Sequence, residues 1–145
     1  MKTASGPTPD RARHVKSTAP TGEMQTWHMT VAYNGGAYRG WQIQPDATTV
    51  QGELQNRLRH LFRDHSLRIN GTSRTDAGVH ALDQHVSFTA PVRDDMAPAR
   101  VHRLLNRWLP KDIRVPFVDH APTGFHARHS AVAKAYTYVI RPGND

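Results

Sequence analysis

Apolar side chains recur in two rhythms along this chain. Trp27, Met29, Val31 and Tyr33 alternate with more polar neighbours, and this two-residue period predicts a strand from Thr26 to Tyr33. The turn Asn34-Gly35-Gly36 follows. Val50, Leu54, Leu58 and Leu61 then recur at helical spacing, with Thr48 and Gln51 reading as a capping box before them. Leu67 to Asn70 is a short second strand. Leu82 to Phe88 is a third, with Leu82, Val86 and Phe88 on one side. Pro98 suits the first position of a second helix, whose apolar stripe is Val101, Leu104, Leu105 and Trp108 and which Leu109-Pro110 ends. Ile113, Val115 and Phe117 alternate as a fourth strand, and Pro116 makes it an edge or cuts it short.

The order is β-α-β-β-α-β, a split βαβ pattern. The expected class is α+β: a ferredoxin-like or RRM-like antiparallel sheet of four strands with two helices on one face, the other face free for a ligand. The 1–24 segment is proline-rich, poor in large apolar groups and basic, and is expected to be a disordered tail. The folded subdomain spans 25–120. The 121–145 stretch reads as a linker and, from Ala135 to Ile140, the first strand of a second, similar half.

Charge adds a partner class. The 145 residues hold 19 Lys+Arg against 12 Asp+Glu, a net charge of +7, and arginine outnumbers lysine by fifteen to four. Most of the excess lies beyond the tail, with fifteen basic and ten acidic side chains in 24–145. That distribution suits a polyanion such as nucleic acid, and no block of like charge marks a lipid-binding segment. The absence of cysteine excludes disulfides, a thiol nucleophile and a Cys-ligated zinc site. No apolar run is long enough for a membrane span or a secretory signal. Among ten histidines the closest pair is His126 and His129, no H-E-x-x-H or P-loop occurs, and neither a metal nor a cofactor is expected.

The segment Gly71-Thr72-Ser73-Arg74-Thr75-Asp76-Ala77-Gly78-Val79-His80-Ala81 joins the second and third strands. Arg74 and Asp76 lie two apart, on one side of an extended backbone. A guanidinium beside a carboxylate keeps it ionised, fit to act as nucleophile, base or metal ligand. The same residues also suit a surface turn with an incidental ion pair.

This segment resembles the catalytic loop of the tRNA pseudouridine synthase A family, R-T-D-x-G-V-H-A. Five further stretches are similar to that family, in the same order. They are Tyr33-Asn34-Gly35 through Gly40-Trp41-Gln42-Ile43-Gln44, Val50-Gln51-Gly52-Glu53-Leu54, Asn106-Arg107-Trp108-Leu109-Pro110-Lys111-Asp112-Ile113, Phe125-His126-Ala127-Arg128 and Lys134-Ala135-Tyr136-Thr137-Tyr138. Asn34 stands where the family usually has Asp, and Ser73 where Gly is common. Family members run to about twice the part matched here, with a second half.

The resemblance implies isomerisation of uridine to pseudouridine in the anticodon stem-loop of tRNA, at positions 38, 39 and 40, without a cofactor. It implies that Asp76 is the catalytic nucleophile or base, that Arg74 pairs with Asp76 and helps prise out the target base, and that Tyr136 stacks on it. Tyr38, Arg39 and Arg128 are candidate RNA contacts, while Trp41 suits either RNA or the core. His80 suits either orienting the loop or satisfying a backbone group. The full-length family is expected to be homodimeric, and a tRNA substrate without a targeting signal points to the cytoplasm. The rival from another class is a catalytically weak or inactive RNA-binding module derived from the enzyme.

Overall fold

The computed structural model describes residues 22–130. The tail before Gly22, the last strand and Tyr136 lie outside the described residues. Four strands, β1 (Met24–Tyr33), β2 (Ile69–Gly71), β3 (Ala81–Pro91) and β4 (Ile113–His120), form one sheet in the order β2-β3-β1-β4. Every pairing is antiparallel. Two helices, α1 (Val50–Phe62) and α2 (Pro98–Trp108), cover one face. This is the expected βαββαβ arrangement.

The core lies between that face and the helices. Trp27, Met29, Val31 and Tyr33 of β1 point into it, against Val50, Leu54, Leu58 and Leu61 of α1 and Val101 and Leu105 of α2. Burying each such side chain stabilises the fold by about 1.5–3 kcal/mol. Trp27 stacks on Phe88 at 5.8 Å and meets Phe62 edge-on at 5.5 Å.

Two expected core positions point the other way, and one cause explains both. Val31 pairs with Gln84 but Tyr33 pairs with Ala81, so β3 has one residue more than β1 across that step. The bulge turns Ala81 inward and leaves Leu82 at 89% exposure. Likewise Thr30 pairs with Phe117 and Ala32 with Arg114, so β4 carries an extra residue around Pro116. Val118 takes the inward position and Phe117 goes to the outer face. Pro116, which has no amide hydrogen to contribute, is accommodated in an edge strand that continues past it.

Side-chain amides lock the ends of these elements. Asn106 of α2 donates to the Val115 carbonyl at 2.9 Å and accepts from the Val115 amide at 2.8 Å, pinning the helix beside the bulge. On α1, Gln55 accepts from the Ile69 amide at 3.1 Å and Gln51 donates to the Ile69 carbonyl at 3.0 Å. Gln51 is therefore spent on β2 rather than on a capping box. The cap is Thr49, one residue later than expected, accepting from the Gly52 amide at 3.2 Å. Leu67 is buried but precedes β2, which is three residues long.

The outer face of the sheet is not bare. A short helix, α3 (Ala127–Ser130), and the residues before it lie across β3 and β2. The Ala127 amide donates to Ser87 Oγ at 2.8 Å, and the Phe125 ring packs 5.0 Å from His28. The expectation of a fully free face is corrected accordingly: the Phe125-His126-Ala127-Arg128 motif occupies part of it.

Candidate active site

The link between β2 and β3 carries Arg74 and Asp76, and its shape is set by atoms outside it. Tyr33 Oη lies 2.7 Å from Thr75 Oγ1. The Trp41 amide donates to the Thr75 carbonyl at 3.1 Å, and the Gly78 amide to the Tyr38 carbonyl at 3.2 Å. His80 Nδ1 accepts from the Gly35 amide at 2.8 Å, so His80 satisfies a backbone group. At the β3 side, buried Gln84 donates to the Ser73 carbonyl at 2.5 Å and accepts from Thr72 Oγ1 at 2.9 Å.

Two glycines make this approach feasible. Gly40 has φ +81°, and a Cβ there would stand 2.6 Å from the Thr75 carbonyl oxygen. A Cβ on Gly35 would stand 1.9 Å from the Val79 carbonyl oxygen. The 34–41 stretch thus forms the seat on which the loop rests. Asn34 keeps that turn in shape by accepting from the Gly36 amide at 2.9 Å.

Within this frame Arg74 and Asp76 are both exposed. Among the described residues the ion pairs are Glu53–Arg57, Asp83–His85 and Arg93–Asp95; none joins Arg74 to Asp76. The expected pairing of those two side chains is absent. The loop instead presents a carboxylate and a guanidinium outward on a fixed backbone, an arrangement able to engage a ligand that enters from solvent.

The surrounding candidates divide. Tyr38 is buried, and its hydroxyl donates to Asp112 at 2.5 Å. Burial, and then the Asp112 carboxylate, push its pKa above the usual phenol range. Tyr38 is thereby corrected from an RNA contact to a strut. Trp41 is buried in the core. Arg39 and Arg128 are exposed. Burial also raises the pKa of Tyr33, although its bond to Thr75 opposes the shift, so the phenol stays neutral.

Residues missed by sequence reasoning include Gln84 and Thr75, which fix the loop. A polar Gln84 at an inward strand position was the available signal. On the outer face, His28 Nε2 and His85 Nδ1 approach to 2.8 Å. Burial and then the neighbouring His85 hold the His28 pKa below the ordinary value, with Asp83 and Asp119 pulling it back. Among the described residues no group of three or more His, Asp or Glu side chains is placed to hold a metal ion. Nor, among them, is any helix long and apolar enough to cross a membrane.

The family described as tRNA pseudouridine synthase matches residues 29–130, from β1 to α3. The chain belongs to the tRNA pseudouridine synthase family.

It is 41% identical over 117 residues to "tRNA pseudouridine synthase A" of Dictyoglomus turgidum, which covers 81% of this chain and 47% of that protein. It is 43% identical over 110 residues to the protein of the same name from Geobacillus kaustophilus, 76% of this chain and 42% of that one. The Akkermansia muciniphila protein is 44% identical over 111 residues, 77% and 42% of the two chains. The chain thus spans less than half the length of these curated relatives.

Proposed function

We propose that this chain takes part in isomerising uridine to pseudouridine in the anticodon stem-loop of tRNA, at positions 38 to 40. The observation that carries the reading is the loop from Thr72 to His80, held by hydrogen bonds from β1, the 34–41 seat and β3 while Asp76 faces solvent. Family membership and the names of the relatives support it.

In this reading Asp76 acts on the ribose as nucleophile or base. The N-glycosidic bond from C1′ to N1 breaks, uracil turns, and C5 bonds to C1′. C5 gives up its proton and N1 gains one, so no redox cofactor or metal is consumed. Such chemistry requires a base taken out of its stack, at a cost of a few kcal/mol. Arg74 fills the vacated space and Tyr136 stacks on the extruded base, a contact worth about 1–3 kcal/mol. Arg39 and Arg128 contact phosphates. The reading carries with it a cytoplasmic location and the homodimer expected of full-length members of the family.

Tritium release from tRNA labelled at uridine C5 tests the proposal. The expected result is slow release by the 145-residue chain, eliminated by Asp76→Ala. Release that survives Asp76→Ala overturns the assignment. Salt-sensitive tRNA binding with no release would leave RNA binding alone as the activity.

A further inference from the structure

The helix layer contains a groove of about 450 Å³ at the C-terminal end of α1, far from the loop of Asp76. Its basic lining is Arg59, His60, Arg63, His65, Arg93 and Arg100, and its one acid is Asp95. Asp95 is already neutralised, because Arg93 grips it at 2.8 and 3.1 Å while also donating to the Leu61 carbonyl at 3.1 Å. Arg59 spends its Nε–H on the Leu67 carbonyl at 2.7 Å and keeps its remaining donors. Arg63 and Arg100 are exposed, and neither makes a side-chain hydrogen bond or ion pair among the described residues. The floor is apolar, with Leu61, Met96 and Leu104, and exposed Trp108 stands beside the His60 ring at 5.6 Å.

We propose that this groove binds the phosphate backbone of the RNA substrate, remote from the target base. The inference rests on the tRNA reading above. Low-dielectric walls lined with one sign of charge focus the field on an anion, and free guanidinium forks match phosphate geometry. Placement favours a long polyanion over an acidic peptide. The α1 N-terminus is tied to the catalytic loop: the Val50 and Gln51 amides donate to Gly40 and Trp41, and Trp41 donates to Thr75. The groove lies at the other end of the same 13-residue helix, about 20 Å away. One structured RNA reaches both ends, with the base at the loop and its backbone at the groove.

Fluorescence anisotropy with the full 145-residue chain and an unmodified tRNA transcript tests the proposal. Arg63→Glu/Arg100→Glu is expected to weaken tRNA binding at least tenfold at low salt, and to lower the slope of log affinity against log salt by about 2. A second variant, Arg63→Gly/Arg100→Ala, guards against misfolding, since glycine suits the φ of 54° that Arg63 adopts. It is expected to lower the slope in the same way.

Unchanged tRNA affinity and slope in both variants overturn the groove while leaving the tRNA reading intact. Failure of the unaltered chain to bind tRNA at any salt overturns both. An acidic peptide that binds only when Arg63 and Arg100 are present, while tRNA affinity and slope are the same in both variants as in the unaltered chain, assigns the groove to a protein partner and overturns it too.

Discussion

The phenol of Tyr33 and the hydroxyl of Thr75 lie 2.7 Å apart, joining the first strand to the loop that carries Asp76. Residues 42 positions apart in sequence are thereby coupled one side chain from the proposed reacting group. Tyr33→Phe keeps the ring in the core and removes only this bond. The expected loss of stability is about 0.5–1.5 kcal/mol. Faster amide exchange across the Thr72–His80 loop is expected as well, and exchange measured residue by residue checks it. An unchanged loop with an unchanged melting temperature would contradict the coupling.

Gly40 is a sharper test of the seat beneath the loop. Gly40→Ala meets both an unfavourable φ and the Thr75 carbonyl oxygen at 2.6 Å. The expected cost exceeds ~1 kcal/mol. Urea unfolding is the measurement, with Gly78→Ala as a comparison: it shares the positive φ of +80° but has open space for a methyl group. Gly40→Ala should be the more damaging of the two.

Asn106 closes two backbone groups of Val115 with one side chain. Asn106→Ala leaves a part-buried donor and acceptor without those partners, and a loss of about 2–3 kcal/mol is expected. Asn106→Asp retains an acceptor for the Val115 amide but sets a carboxylate against the Val115 carbonyl, so it should not restore stability. Chemical denaturation of the three proteins compares them directly.

The His28–His85 contact predicts a pH dependence. The folded pKa of His28 is lowered, so the unfolded chain takes up its proton first as pH falls. Stability from this group is complete above the unfolded value of about 6.5 and declines below it, levelling off once pH passes below the depressed folded value. His28→Gln is expected to flatten that decline in thermal melts between about pH 7 and pH 5. An identical slope in both proteins would show that His28 does not control it.

Much of the fold was legible because periodicity and punctuation agree. The alternation from Trp27 to Tyr33, the α1 stripe and Pro98 at the start of α2 all state their element locally. Leu82 and Phe117 were misplaced because a bulge adds one residue to one strand, and counting by twos cannot detect it. Thr48 and Thr49 are equivalent in composition, so only the geometry at the Gly52 amide selects the cap.

The candidate site was legible as a loop, but its supports were not. Tyr38 looked like an exposed aromatic beside Arg39, yet its partner Asp112 lies 74 positions away in sequence. Gln84 looked like an ordinary polar strand residue until Ser73 and Thr72 closed on it.

The pair of glutamines on α1 has a bearing on association between chains. An edge strand ordinarily offers open amides and carbonyls on which a foreign strand can build, a common beginning of aggregates. At Ile69 of β2 both groups are already engaged, the amide by Gln55 and the carbonyl by Gln51. An incoming strand would have to displace those two side chains before it found a free ladder position there. The same two side chains that hold a three-residue strand in place also guard this border of the sheet against growing.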